Sequence, residues 1–322
     1  MDCLHPDLDQ WYQSDNPAHF GLKPVNTDSN PSSAVNSNVK TSALDTRVSV
    51  TVPTTLDYRN YNGNNYVTSV KNQGSCGCCW SFAATAQYES YLALNGFNYD
   101  LSAQAALECT SFYAPNQRVS DCSGGYFPDP FYYLAEVGSL LDSTYPYISG
   151  NYGSGAGFPT TPGVCTDQNR IFLGNGTVSL YAPLFSSGGY TVAQIKQVLV
   201  TNGPQMIGMY ANAAFNSYSS GTFTGCPSNA EHFINHAILL IGWTNTGWIA
   251  KNQWGTAWGN AGYIEIDFTL DCGLRYLFGS VVVANKNSNV QVVMSTGYVY
   301  SSFEHSLKVA LLSFFVLFAL LL

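Results

Sequence analysis

Along the chain the spacing of apolar and polar residues changes three times. Residues 1–52 are rich in Asn, Ser, Thr, Asp and Pro with no sustained apolar period, the texture of a poorly packed leader or linker. From Pro53 to about residue 285 apolar runs alternate with turn signals. A mostly polar spacer follows, and residues 309–322 form an apolar tail interrupted only by Ser313. In the middle region helical patterns come first: Cys79–Leu94 closed by Asn95-Gly96, Ala103–Cys109 behind an N-cap Ser102, and Pro130–Val137 ended by Gly138. A fourth helix, Val192–Asn202, precedes runs that read as strands: Gln205–Tyr210, Ala237–Trp243, Gly247–Asn252, Gly262–Ile266 and Gly279–Val283. Helices first and strands later predict an α+β protein of two lobes, helical over about 53–165 and β-rich over about 166–285, with ligands favoured in the cleft between them.

Composition narrows the class. With 46% hydrophobic and 10% charged residues the chain is globular, and at 322 residues it has ample core for two lobes. The net charge is −8 and the 12 Lys and Arg are scattered, which excludes nucleic acid as a partner, since that needs a clustered basic face. Nine cysteines (Cys3, Cys76, Cys78, Cys79, Cys109, Cys122, Cys165, Cys226 and Cys272) point to an oxidising compartment on the secretory route, and the odd number leaves at least one outside any internal pairing. The triplet Asn175-Gly176-Thr177 makes Asn175 a glycosylation candidate on that route.

The ends give conflicting targeting signals. Residues 1–23 contain no apolar stretch of the kind a signal peptide needs, so the N-terminus is expected to be incomplete or mis-started. As a helix the fourteen-residue tail reaches about 21 Å, short of the ~30 Å hydrocarbon core of a bilayer. Small residues Ser295-Thr296-Gly297, a polar spacer to Lys308 and this tail form the layout of a GPI-attachment signal, a plain membrane-associating tail being the other reading.

The chemistry centres on Gln73-Gly74-Ser75-Cys76-Gly77-Cys78-Cys79-Trp80-Ser81-Phe82. Cys79 falls where a Gly-rich loop becomes a helix, and the positive end of a helix favours the reactive thiolate. Gln73 and the backbone N–H of Cys79 are candidate donors to a developing oxyanion. A thiol nucleophile needs an oriented base. His236 stands at the mouth of a buried strand, and Asn252 ends a neighbouring strand, where its side-chain oxygen can fix the imidazole tautomer. Trp254 is placed to exclude water from that hydrogen bond.

These residues resemble the papain family of cysteine peptidases, which includes the cathepsins. The resemblance runs from about Pro53 to Ala284. Its core is Cys76-Gly77-Cys78-Cys79-Trp80, with His236 and Asn252 following Cys79 by 157 and 173 residues, somewhat more than the family's usual spacing of about 130–150. Further blocks are Leu56-Asp57-Tyr58-Arg59, Cys122-Ser123-Gly124-Gly125-Tyr126, Tyr145-Pro146-Tyr147 and Trp258-Gly259-Asn260-Ala261-Gly262-Tyr263. The resemblance implies a papain-like two-lobe fold with a helical lobe, a β-barrel-like lobe and an active-site cleft between. It implies an endopeptidase without cofactor or metal, monomeric, acting on protein or peptide substrates and open to cystatin-like inhibitors. Cys79 would attack the peptide carbonyl, His236 protonate the leaving amine, Asn252 orient His236, and Gln73 with the Cys79 amide stabilise the oxyanion. Disulfides would pair Cys76 with Cys122, Cys109 with Cys165 and Cys226 with Cys272. A secreted, lysosomal or vacuolar location follows, with membrane attachment through the tail as a further expectation.

Specificity rests on wall positions matched to the family. Gly124 and Gly125 correspond to a strip that binds extended substrate through its backbone. Phe127, Gly208, Ile234, Ala237 and Leu277 correspond to the S2 pocket, with no acidic residue at its base, and Asn235 and Trp254 are further substrate-binding candidates. These S2 positions are apolar or small, which predicts Leu, Val or Phe at P2 over Arg. Thr110–Asp121 contains no His, so no cathepsin B-like occluding loop is expected and endopeptidase is favoured. Cys78 beside the nucleophile, Gln253 after the triad Asn and Asn235 before the His depart from the family pattern. The propeptide helices typical of the family are not visible, and residues 1–52 are read as the remnant of such a segment, with maturation near Val52-Pro53-Thr54. Two other readings fit the residues less well. Cys76, Cys78 and Cys79 lack the second cluster a zinc site needs, and a non-catalytic binding protein on this fold would require a blocked Cys79.

Overall fold

The computed structural model describes residues 50–114, 119–127, 129–152, 160, 163–166, 177–180, 189–276 and 278–282, together with the backbone of short strands at 22–23, 39–41, 291–293 and 299–301. Cys3, Asn175, Leu277, the polar spacer around Ser295-Thr296-Gly297 and the apolar tail lie outside the described residues. Among the described residues no helix is long and apolar enough to cross a membrane.

The helices are α1 (Cys79–Leu94), α2 (Ala103–Tyr113), α3 (Asp129–Val137), α4 (Val192–Asn202) and the single turn α5 (Ala213–Asn216). Capping chemistry sets their ends. Ser102 accepts from the Ala105 N–H at 2.9 Å to start α2, and Thr191 and Gln194 form a reciprocal capping box at the start of α4. α2 runs four residues past the expected stop at Cys109, because no Gly or Pro breaks it before Pro115 and Thr110 bonds back to the Ala106 carbonyl at 2.7 Å. α1 is buried on nearly every face from Cys79 to Ser90, which its run of Ala and Ser makes sterically possible. With α2 and α3 it forms one apolar core that includes Trp80, Leu92, Leu107, Phe127 and Leu134.

The strands are β1 (Leu22–Lys23), β2 (Val39–Thr41), β3 (Leu56–Asp57), β4 (Gly125–Tyr126), β5 (Thr177–Leu180), β6 (Gln205–Met209), β7 (Thr222–Phe223), β8 (His236–Trp243), β9 (Gly247–Lys251), β10 (Tyr263–Asp267) and β11 (Phe278–Val282). Nine of them make one sheet in the order β2-β5-β11-β6-β8-β9-β10-β7, with β3 pairing β8. β6, β8 and β9 are buried throughout, whereas β10 alternates buried and half-buried positions, as a strand with one solvated face does. The β-barrel-like lobe expected from the resemblance is corrected here to an open sheet: its terminal strands β2 and β7, three and two residues long, do not pair with each other. Such short edges offer too few ladder bonds to close a cylinder. At the bulge between Leu240 and Gly242 the chain uses a φ of +154° at Gly242, where a Cβ would meet the Leu56 carbonyl oxygen at 2.0 Å; glycine is what lets β3 dock there.

A second core, containing Leu199, Ile207, Leu240, Trp243, Trp248 and Ile264, lies under the sheet. α1 packs against both β8 and β6, so the helix that begins at Cys79 lies across the strand that begins at His236. Main-chain bonds stitch the seam: Gln73 N–H to Gln253 O at 2.9 Å and Gly255 N–H to Lys71 O at 3.0 Å.

Candidate active site

Each half of the site is built by different local forces. On the helical side, Gly74 takes a φ of +61° and Ser75 N–H donates to Gly150 O at 2.7 Å, turning the chain toward α1. The Cys76–Cys122 disulfide, with Cα atoms 4.5 Å apart, ties this loop to the strip Gly124-Gly125. Two further disulfides, Cys109–Cys165 and Cys226–Cys272, hold one lobe each. With Cys76 bonded to Cys122, the Cys76, Cys78 and Cys79 thiols are not a ligand trio. Cys79 opens α1, fully buried and outside the disulfides, so its side chain sits in the field of the helix N-terminus. The Gln73 amide donates to the Cys76 carbonyl at 2.8 Å, which holds its side chain along the loop. The Trp80 indole lies on Gly125, where a Cβ would fall 2.5 Å from the ring, so residue 125 has to be glycine.

On the sheet side, antiparallel register sets the residues. Met209 pairs with His236 and Gly208 with Ala237, while β8 and β9 run together so that Asn252, one residue past β9, comes alongside His236. His236 Nε2 lies 3.0 Å from Asn252 Oδ1. An amide oxygen only accepts, so Nε2 carries the proton and Nδ1 is left as the basic nitrogen. The backbone N–H of Gln253 donates to the same Asn252 oxygen at 3.0 Å, fixing the amide's orientation. Burial pushes the His236 pKa down to about 4, with the Asn252 hydrogen bond opposing the shift.

Aromatic rings close over this pair. Trp254 lies tilted against the imidazole with ring centroids 4.9 Å apart, Phe215 meets it edge-on at 5.9 Å, and Trp258 touches both Phe215 and Trp254. The sequence pointed to Trp254 alone. Phe215 sits on the single-turn α5, too short for any periodicity to betray it, and is started by Asn212 accepting from the Phe215 N–H at 2.9 Å. The side chain of Gln253, the residue after Asn252, donates to Ala237 O at 2.9 Å and thereby straps β8 beneath the imidazole. Asn235 bonds both ways to the Ala211 backbone, at 2.8 and 3.2 Å, and its amide is engaged in positioning the strand end.

Of the S2 positions, Phe127 and Ala237 are buried in one cluster with Cys79, and Ile234 packs against it half-buried. Gly208 faces Ala237 across the β6–β8 ladder. Met206, two residues before Gly208 and therefore on the same strand face, joins this cluster and was missed by sequence reading, because a buried Met on a core strand gives no signal of its own. Along the strip, β1 runs parallel to β4 with Leu22 opposite Gly125 and Lys23 opposite Tyr126.

A charge cluster, buried at Glu89 and Lys251 and open to solvent at Asp100, spans the seam. Lys71 Nζ lies 2.6 Å from Asp100 and 3.4 Å from Glu89, and Lys251, adjacent to Asn252, donates to the Thr68 carbonyl at 3.1 Å. Burial pushes Lys251 down to about 8, with Glu89 opposing; burial likewise raises Glu89 against the pull of Lys71 and Lys251.

Comparison with known proteins places these features in one family. Residues 52–279 match the family model described as papain family cysteine protease. A viral cathepsin of Orgyia pseudotsugata multicapsid polyhedrosis virus is 33% identical over 233 residues, covering 69% of this chain and 62% of the relative. A cathepsin L-like proteinase of Fasciola hepatica is 30% identical, covering 72% of this chain and 66% of the relative, so the chain spans somewhat under two thirds of the length of each. Among solved structures, the Carica candamarcensis cysteine protease in complex with E-64 superposes with a TM-score of 0.56 at 28% identity, over 73% of this chain and all of that one. The chain belongs to the papain family of cysteine proteases.

Proposed function

We propose that this chain is a cysteine endopeptidase that cleaves peptide bonds through an acyl-enzyme on Cys79. The observation that carries the reading is the 3.0 Å contact of His236 Nε2 with Asn252 Oδ1 beside a helix that begins at Cys79. The basic Nδ1 of His236 accepts the Cys79 proton. The thiolate attacks the carbonyl carbon, and the oxygen takes up negative charge under the Cys79 N–H and the Gln73 amide. The imidazolium then protonates the leaving amine, and water attacks the thioester with His236 as base. Two related solved proteases, from Carica candamarcensis and Ananas comosus, are complexes with the inhibitor E-64, and a thiol-directed peptidyl epoxide is the probe for Cys79. Labelling with a peptidyl epoxide followed by mass mapping is expected to place one adduct on Cys79 and to lose it in His236→Ala. A folded, reduced protein that takes no label would overturn the proposal.

Apolar walls at Phe127, Ala237, Ile234 and Met206 support a preference for an apolar P2 residue. Fluorogenic dipeptides with Leu at P2 are expected to be cleaved at least about 10-fold faster than those with Arg, the discrimination of roughly 1–3 kcal/mol that such pockets give. A faster Arg substrate would contradict it.

The domain reading assigns residues 53–285 to the peptidase unit and residues 1–52 to a leader, of which Leu22–Lys23 pair with the strip at Gly125–Tyr126. Val52, Pro53 and Thr54 are exposed, as a maturation site must be. Three disulfides support passage through an oxidising compartment.

A further inference from the structure

The catalytic reading leaves Cys78 without a task. It is the N-cap of α1 yet makes no side-chain capping bond, is fully buried, and stands outside the disulfides immediately before the nucleophile. Its sulfur lies 3.2 Å from the hydroxyl of Tyr147, and that hydroxyl donates to the backbone carbonyl of Gln73 at 2.7 Å. A carbonyl can only accept and a phenol has one proton, so the Tyr147 proton goes to Gln73 and the Tyr147 oxygen receives the thiol proton. The direction of the chain is thereby fixed: Cys78 S–H to Tyr147 O–H to Gln73 C=O.

Gln73 is the residue to which the proposed mechanism gives half of the oxyanion site. Its N–H is held by the Gln253 carbonyl at 2.9 Å and its side-chain amide by the Cys76 carbonyl at 2.8 Å. Tyr147 fixes its remaining backbone group, and the Tyr147 ring is itself clamped edge-on by Phe82 at 4.7 Å. The loop around Gln73 contains Gly74 and Gly77 and has no regular structure of its own, so its position depends on these bonds.

We propose that Cys78 is a positioning residue for the oxyanion site, acting through Tyr147 on Gln73. This rests on the endopeptidase reading above and deepens it. It also accounts for two adjacent thiols with different fates. Cys79 loses its proton to His236, while Cys78 keeps its proton as a hydrogen-bond donor in a buried relay. A bond that places an oxyanion donor matters once charge has developed, so its loss lowers kcat and leaves KM unchanged.

The test compares Tyr147→Phe, Cys78→Ala, Cys78→Ser and the double variant Cys78→Ala/Tyr147→Phe with the parent on an apolar-P2 fluorogenic peptide. Gln73→Ala serves as the control for the oxyanion reading. Cys78→Ala and Tyr147→Phe are each expected to lower kcat about 3- to 10-fold, the worth of one neutral hydrogen bond, with KM unchanged. The double variant should lose no more than Tyr147→Phe alone, since the two act in series. Cys78→Ser, which keeps a donor, should recover to within about 2-fold of the parent. Infrared difference spectra against Cys78→Ala, taken with Cys79 blocked by the epoxide, should show an S–H stretch that moves to higher frequency in Tyr147→Phe. Parent-like kcat in Cys78→Ala and Tyr147→Phe overturns the relay, as does an additive double variant, a serine variant no better than alanine, or an unmoved S–H band. In each of those cases a loss of about 10²-fold in Gln73→Ala would leave the oxyanion reading standing. Full activity in Gln73→Ala would instead remove that reading itself.

Discussion

The two halves of the site are held in place by opposite means. His236 and Asn252 stand at the ends of adjacent long strands, and their separation follows from ladder register and from the aromatic rings of Phe215, Trp254 and Trp258 packed over them. Gln73 and Cys79 stand on either side of a glycine-containing loop, and their separation follows from a disulfide, the Gly150 and Gln253 main-chain bonds and the Tyr147 hydroxyl. Sheet geometry is shared among many bonds, so single losses are buffered. The loop depends on a few, each of which is exposed as a point of failure. This contrast predicts where damage should fall.

The largest effect is expected on the sheet side from Phe215→Ala, which empties a ring meeting His236, Trp254, Trp258 and Phe223. About 3–5 kcal/mol of stability should be lost, measured by urea denaturation. If the sheet half is buffered as described, the native fraction should still take the epoxide label at Cys79 at near-parent rate. On the loop side, replacing Cys76 and Cys122 together by Ser should cost about 2–5 kcal/mol. There, labelling should fall well below the parent rate in protein that is still folded by circular dichroism. Equal labelling losses in the two variants would erase the contrast.

The smallest effect concerns protons. Burial brings the His236 pKa down to about 4 from its ordinary 6.5, so between those values the unfolded chain binds a proton that the folded one refuses. Its contribution is therefore complete above pH 6.5 and is lost as pH falls toward 4, up to about 3 kcal/mol. The measurement belongs in a Cys79→Ala background, where no thiolate pairs with the imidazole. Adding His236→Gln should flatten that slope between pH 6.5 and 4, and an unchanged slope would assign it elsewhere. Glu89, raised by burial, works in the opposite direction, losing its contribution as pH rises through its folded value.

Local signals in the sequence located most of the secondary structure. Helices α1 and α4 start and stop where pattern and caps place them, and the five long strands lie within one residue of their runs, because periodicity and capping are properties of short stretches. The loop-to-helix junction at Cys79 and the strand ends near His236 and Asn252 were likewise readable from local context. Other features are set by residues far apart in the chain, which no local window contains. Phe215 reaches the imidazole from a single helical turn, Met206 enters the apolar wall from a core strand, and Tyr147 meets Cys78 from 69 positions away. The open form of the sheet was decided at the same level, since closure depends on the lengths and pairing of distant edge strands. Sequence alone determined where the elements that carry the candidate groups begin and end. Only the tertiary structure decided which hydrogen-bond acceptor each donor meets, because that depends on how the two lobes press together along the seam.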